Sequence, residues 1–281
     1  MRFDDSASLD TSQVSDRRGM GPAAVGGGGV IGLIVLLVTV FAGGDPSAIT
    51  PPTFEGAGTR SDLAAECRTG ADANARQDCR IVGVVNSVQQ YWKSTQPGYT
   101  EADTVFFSSG TNSACGAATS DVGPFYCPGD QTIYIDLSFF DDLRSRFGAS
   151  GGPFAEAYVI AHEYGHHMEN QLGILGRAQS SSSGATGGSV RTELMADCLA
   201  GMWARGATAT GFIVELTEQD IADGLDAAAA VGDDRIQQRA QGRVDKESWT
   251  HGSSEQRSRW FKKGFAATSL ESCNTFSANP L

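Results

Sequence analysis

The sequence is short of basic residues, with 21 Lys and Arg against 33 Asp and Glu in 281 residues. Its formal net charge is therefore -12. Proteins that bind nucleic acid need a clustered basic surface to contact the phosphates. The composition argues against a nucleic-acid partner, and the length fits one globular domain with an N-terminal appendage.

None of the six cysteines lies in a C-x-x-C pair, so a structural zinc ribbon is not expected. Pairing by nearest neighbour joins Cys67 with Cys79, Cys115 with Cys127, and Cys198 with Cys273, although six cysteines allow many pairings. Disulfides are typical of exported proteins. The alternative is a set of reduced, buried cysteines.

Long apolar runs are also scarce, and only one is long enough to cross a membrane. Residues 26–44 contain no charge, and this is about the length of a bilayer span. Arg2, Arg17 and Arg18 precede the run, whereas the next basic residue is Arg60. The positive-inside rule therefore predicts that the N-terminus lies in the cytoplasm.

These observations divide the chain into four segments. We expect a disordered cytoplasmic tail over 1–25, a transmembrane anchor in the lipid bilayer over 26–44, a linker over 45–59 and an extracytoplasmic domain over 60–281. The predicted location is the cell membrane, with a single span. A cleaved signal peptide that ends near 42–44 and a buried core helix are the alternatives.

Three of the four histidines lie in the segment His162-Glu163-Tyr164-Gly165-His166-His167. Its first five residues form H-E-x-x-H, the zinc signature of metallopeptidases. Residues i and i+4 share one face of a helix, so His162 and His166 can both reach one Zn²⁺. Glu163 can then act as general base toward a water molecule whose pKa the zinc lowers. A close approach to the backbone would account for Gly165 in mid-helix.

A catalytic zinc has three protein ligands and an open position, so one ligand is missing from this motif. His251 is distant in the sequence, which favours an acidic residue as the third ligand. Residues 191–200 are predicted to form a helix, on which Glu193 and Asp197 share one face. Asp197 can accept the second ring N–H of a zinc-binding histidine. The alternative for this acidic pair is a solvated helix face.

The segment 162–167, taken with Glu193-Leu194-Met195-Ala196-Asp197, resembles the "putative neutral zinc metallopeptidase" family of bacteria. H-E-x-x-H followed by E-x-x-x-D is also similar to the gluzincin arrangement of thermolysin-like peptidases. The resemblance covers about residues 60 to 275, including the segments 115–116, 123–128, 134–137, 232–234 and 251–257.

This resemblance implies one Zn²⁺ per chain, bound by His162, His166 and Glu193, with Glu163 as general base. It implies peptidase activity on a peptide or protein substrate. A downstream histidine stabilises the oxyanion in thermolysin-like enzymes, so the resemblance gives His251 that role. The alternative for His251 is a surface or packing histidine.

The predicted fold is an α+β, zincin-like domain that is mostly helical with a small sheet, preceded by one transmembrane helix. Strands are predicted over 104–108 and 132–136, and Asp233 and Asp234 are expected to cap the helix that follows them. The substrate should lie along an edge strand of the sheet. The predicted function is a membrane-anchored zinc metalloendopeptidase. The alternative is a catalytically inactive zincin fold that binds partners at the membrane.

Overall fold

The computed structural model describes residues 1–19, 62–178 and 184–281. Its helices are α1 (Leu63–Glu66), α2 (Gly70–Ala75), α3 (Gln77–Thr95), α4 (Phe139–Ser145), α5 (Pro153–Gln171), α6 (Leu175–Ala178), α7 (Gly188–Gly206), α8 (Glu218–Ala230), α9 (Asp233–Gln241) and α10 (Ser254–Ala266). Its strands are β1 (Arg2–Phe3), β2 (Val14–Asp16), β3 (Asp103–Phe107), β4 (Gly110–Ser113), β5 (Gly116–Thr119), β6 (Phe125–Cys127), β7 (Thr132–Asp136) and β8 (Ile213–Glu215). The prediction of an α+β fold, mostly helical with a small sheet, is confirmed.

The main sheet has the strand order β2-β3-β7-β6. Strands β2, β3 and β7 run parallel, and β6 is an antiparallel edge strand. Successive side chains of a strand point to opposite faces. Phe106 and Ile133 accordingly join the large core with the helices, whereas Val105, Phe107 and Tyr134 form a smaller cluster on the other face. The predicted strands correspond to β3 and β7.

Helix α7 lies between α5 and α10 and packs closely against both. A Cβ added at Gly165 of α5 would lie 2.8 Å from Ala196 Cα of α7. A Cβ added at Gly264 of α10 would overlap the carbonyl of Cys198. The expected close approach at Gly165 is therefore present, and glycines let these three helices come together.

Three disulfides join the cysteines in the predicted nearest-neighbour pairs: Cys67–Cys79, Cys115–Cys127 and Cys198–Cys273. The third bond has the longest sequence separation, 75 residues, and ties α7 to the segment that follows α10. It therefore fixes the C-terminal end of the chain onto the central helices.

The prediction of a disordered tail is wrong for residues 1–19. Strand β1 pairs with β8, and β2 forms one edge of the main sheet. Phe3 is 1% exposed, and Leu9 and Val14 are buried in the same core. The polar composition of this segment predicted disorder, but its three apolar side chains are buried by elements distant in the sequence.

The predicted membrane topology is also wrong. Among the described residues, no helix combines the length and the apolar composition that a membrane span requires. The expected anchor (26–44) and linker (45–59) lie outside the described residues. Side chains from residues 1–19 share one hydrophobic core with side chains from residues 62–178 and 184–281, whereas a single span between them would place them on opposite sides of a bilayer. Arg18, counted as a cytoplasmic charge, instead pairs with Asp16 and Asp78.

Candidate metal centre

The two histidines of H-E-x-x-H lie one turn apart on α5, and their ring centroids are 4.8 Å apart. Glu193 approaches them from α7. Its Oε2 is 3.1 Å from His162 Nε2, and its Oε1 is 3.5 Å from His166 Nε2. Taking one ligand atom from each residue, the three atoms lie within 4.8 Å of one another. The close approach of α5 and α7 at Gly165 brings the ligands of both helices together.

This donor set fits Zn²⁺. Two neutral imidazoles and one carboxylate form a known set of ligands for catalytic zinc, which keeps a further position open. His162, His166 and Glu193 line a cavity of about 430 Å³, so a metal ion bound by them would be accessible to a substrate.

The His162 ring nitrogen that lies away from Glu193, Nδ1, faces a buried network of hydrogen bonds. Its Nδ1 is 2.9 Å from Asp197 Oδ1, and Asp197 also accepts hydrogen bonds from Tyr158 Oη at 2.5 Å and from Arg257. Burial alone would raise the pKa of Asp197, but Arg257 and His162 outweigh it and lower the pKa to about 2. Asp197 is therefore an anion that faces His162.

The His166 ring nitrogen that lies away from Glu193, also Nδ1, faces a different carboxylate. Its Nδ1 is 2.8 Å from Oε2 of Glu169, which is fully buried on the same helix. Burial raises the pKa of Glu169, and the carboxylates of Glu193 and Asp197 raise it further. The two histidines are thus oriented by separate acids on α7 and α5.

The third histidine of the motif does not belong to this cluster. His167 Nε2 is 2.8 Å from the carbonyl oxygen of Thr100, and its Nδ1 is 3.1 Å from Tyr126 Oη. It is fully buried beside the main sheet. Its contacts join α5 to β6 and to the residues before β3.

Glu163 lines the same cavity as the three candidate ligands. Burial raises the pKa of its carboxyl above the ordinary value, although His162 and His166 oppose this effect. A carboxylate beside the candidate metal position can accept a proton from a water molecule bound there.

His251 also lines this cavity, although it lies far from the motif in the sequence. The backbone amides of Thr250, His251 and Gly252 all donate to Asp233 Oδ2, at 2.7–2.9 Å. Burial alone would lower the pKa of His251, but the carboxylates of Glu193 and Asp233 raise it. The turn therefore holds the His251 side chain in the cavity wall.

The expected helix-capping role of Asp233 and Asp234 is wrong. The residue before α9 is Gly232, and Asp233 instead binds the turn that carries His251. Asp234 Oδ1 accepts hydrogen bonds from the amide and hydroxyl of Ser254. Asp233 therefore connects α9 to the turn before α10, and Asp234 connects α9 to the first residue of α10. These partners come close only in the folded chain.

A family model described as "putative neutral zinc metallopeptidase" matches residues 4–276. The chain belongs to this family. The "uncharacterized protein YpfJ" of Escherichia coli K12 is 40% identical over 286 residues, which cover 95% of this chain and 96% of that protein. The "uncharacterized protein Rv2575" of Mycobacterium tuberculosis is 53% identical over 223 residues, which cover 77% of this chain and 76% of that protein. No solved structure shows significant similarity.

Three residues of the network around this zinc-metallopeptidase motif were missed by the sequence analysis: Tyr158, Glu169 and Arg257. Tyr158 and Glu169 had a detectable signal, because each lies on the motif helix, four residues before His162 or three after His166. Such spacings place side chains on one helix face. Arg257 had no such signal, since its contact with Asp197 spans 60 residues.

Proposed function

We propose that this chain is a zinc-dependent endopeptidase whose metal ion is bound by His162, His166 and Glu193. The observation that supports this proposal is the convergence of their three ligand atoms within 4.8 Å, in a cavity that Glu163 also lines. Membership of a zinc metallopeptidase family agrees with the choice of metal and with a peptide or protein as substrate.

Zinc bound there would polarise the peptide carbonyl and lower the pKa of the attacking water. Glu163 takes a proton from that water and transfers it to the leaving amine. His251, held in the cavity wall, donates a hydrogen bond to the oxyanion that develops on the carbonyl oxygen. Asp197 fixes the ring of His162 and Glu169 fixes the ring of His166.

The substrate backbone is proposed to add to the sheet at β6. Among the strands that the structure describes, β6 pairs only with β7 and is an edge of the main sheet. Residues 122–124, which lead into β6, line the cavity that holds Glu163. An extended peptide paired with such an edge gains main-chain hydrogen bonds regardless of its sequence.

The rest of the cavity wall favours an apolar side chain beside the scissile bond. Val122, Phe139, Phe147, Val159 and Ile236 supply apolar surface there. The arginines that reach this wall already have partners within the protein. Arg146 pairs with Asp142 at 3.1 Å, and Arg239 donates to the Phe147 carbonyl. An apolar substrate side chain could therefore bury its surface against this wall without displacing either arginine from its partner.

The alternative function is an inactive zincin fold that binds a partner. Such a protein has no chemical need for Glu163, because this residue is not among the proposed metal ligands. The two functions therefore predict different effects of replacing Glu163. A peptidase should lose its cleavage activity, whereas an inactive binding protein should be unaffected.

The test is to incubate the zinc-loaded full chain with denatured proteins and to map the cut sites by mass spectrometry. We expect internal cuts beside large apolar residues. Glu163→Gln should keep its zinc and cleave about 10²- to 10⁴-fold more slowly. Glu255→Gln, an exposed change on α10, is the matched control and should cleave normally. Normal cleavage by Glu163→Gln would refute the assigned base. A zinc-loaded wild type that cuts nothing would favour the binding protein.

A further inference from the structure

One side of the candidate metal centre is held by a residue from the C-terminal part of the chain. Arg257 of α10 is 3% exposed. Its Nε is 2.9 Å from Asp197 Oδ2, and its Nη2 is 3.0 Å from Asp197 Oδ1. This two-point contact fixes the plane of the carboxylate as well as its position.

We propose that Arg257 is a positioning residue for the metal centre. It holds Asp197 so that Oδ1 accepts the Nδ1–H of His162, and the lone pair of His162 Nε2 is then left facing the metal position. This inference rests on the proposed zinc site and adds a third helix to the two that supply its ligands.

The argument depends on which ring nitrogen of His162 carries the proton. A neutral imidazole has one N–H and one lone pair, and a metal ion requires the lone pair. His162 Nε2 faces Glu193 and the metal position, so the proton must reside on Nδ1. The groups around Nδ1 decide whether this tautomer is favoured.

Two groups near Nδ1 favour opposite tautomers. Asp197 Oδ1 at 2.9 Å can only accept, which favours the proton on Nδ1. Arg257 Nη2 at 3.3 Å can only donate, which favours a lone pair there and a proton on Nε2. Arg257 directs its Nε and Nη2 to Asp197, and Nη2 also lies 3.1 Å from Tyr158 Oη. The carboxylate therefore determines the tautomer, provided that Arg257 stays bound to it.

His166 has no comparable dependence on α10. Its Nδ1 contacts Glu169, three residues later on α5, and the hydrogen bonds found for Glu169 in the described part of the chain include none from an arginine or lysine. Loss of Arg257 should therefore disturb one histidine ligand and leave the other in place.

A purely structural role for Arg257 makes a different prediction. Arg257 also joins α10 to α7 and to the carbonyl of Val231, so its loss can lower stability without any effect on the metal. Metal affinity of the folded protein and the coordination of the metal separate the two roles, because a structural contact need not change either quantity.

The experiment measures the Zn²⁺ affinity of the full chain by competition with a chelator, and the visible absorption of the Co²⁺-substituted protein. Arg257→Met should weaken zinc binding about 10- to 100-fold and alter the Co²⁺ spectrum, while Arg257→Lys should retain part of the affinity. Arg259→Gln removes the same charge from an exposed position on α10 and should match wild type. Thermal unfolding establishes that each variant is folded.

The combined variant gives the sharpest test. Asp197→Ala leaves Arg257 as the nearest partner of His162 Nδ1, so zinc binding should fall. Asp197→Ala with Arg257→Met removes that donor as well and also removes both buried charges. It should bind zinc at least as tightly as Asp197→Ala alone. This comparison still decides the matter if Arg257→Met alone fails to fold.

Two results would overturn the inference. One is a folded Arg257→Met protein with wild-type zinc affinity and an unchanged Co²⁺ spectrum. The other is a combined variant in which the losses of zinc affinity from Asp197→Ala and Arg257→Met add. A wild-type chain that binds no zinc at all would instead refute the proposed function.

Discussion

Replacing Gly165 with alanine should push apart the two helices that carry the candidate zinc ligands. The new Cβ would lie 2.8 Å from Ala196 Cα and 3.0 Å from both its Cβ and its carbonyl oxygen. Two of these three atoms belong to the backbone of α7, so they cannot move unless the helix moves. His166 lies next to Gly165 on α5, and Glu193 is on α7. Separation of the helices should therefore also separate these ligands.

The expected stability change is the difference between two effects. Alanine is favoured over glycine within a helix by about 1 kcal/mol. Overpacking a tight interior costs about 1–3 kcal/mol, and contact with a helix backbone places Gly165→Ala in the upper half of that range. The net loss should be about 1–2 kcal/mol in the free energy of unfolding, or roughly 2–8 °C in Tm for a domain of this size.

Thermal unfolding and zinc affinity should be measured on the same preparations. Gly176→Ala in α6 is the matched control, because no atom of the described residues lies within 4 Å of the added Cβ. It should gain up to about 1 kcal/mol from helix propensity and should not lose stability. If Gly165→Ala is instead about 1 kcal/mol more stable, with unchanged zinc affinity, then helix propensity alone governs this position. The account of how α5 and α7 bring the ligands together would then fail.

Two further predictions concern residues outside the metal-binding helices. His251→Ala should lower kcat by about 10²-fold or more. Its zinc content and Tm should stay unchanged, because Asp233 holds the turn through backbone amides that alanine keeps. A wild-type kcat would remove His251 from the mechanism. Phe3→Ala should destabilise the protein by about 3–5 kcal/mol in denaturant unfolding, since its side chain is 1% exposed in the core. The exposed Arg2→Ala should have little effect, and equal stabilities for the two variants would contradict the packing of the N-terminal segment.

The parts of the site that sequence could predict are those set by local helix geometry. His162 and His166 share a face because they are four residues apart, and the same spacing places Glu193 beside Asp197 on α7. The structure brings all four side chains into one cluster. Their chemical roles stay predictions until metal binding and cleavage are measured.

The parts that sequence could not predict depend on contacts between distant segments. Arg257 reaches Asp197 across 60 residues, and Asp233 binds the amide of His251 rather than its own helix. The N-terminal segment gave the most misleading signal, because its polar residues and arginines are typical of a cytoplasmic tail. Its order depends on pairing with β3 and β8, which no local pattern reveals.

Zinc content per folded chain tests the central claim most directly. After zinc loading and removal of free metal, wild type and Glu163→Gln should each hold one zinc per chain, and His166→Ala should lose it. His167→Asn is the matched control, because that histidine binds Thr100 and Tyr126 away from the cluster, and it should keep the metal. A folded His166→Ala chain that still holds one zinc would contradict the assignment of His162, His166 and Glu193 as the metal site.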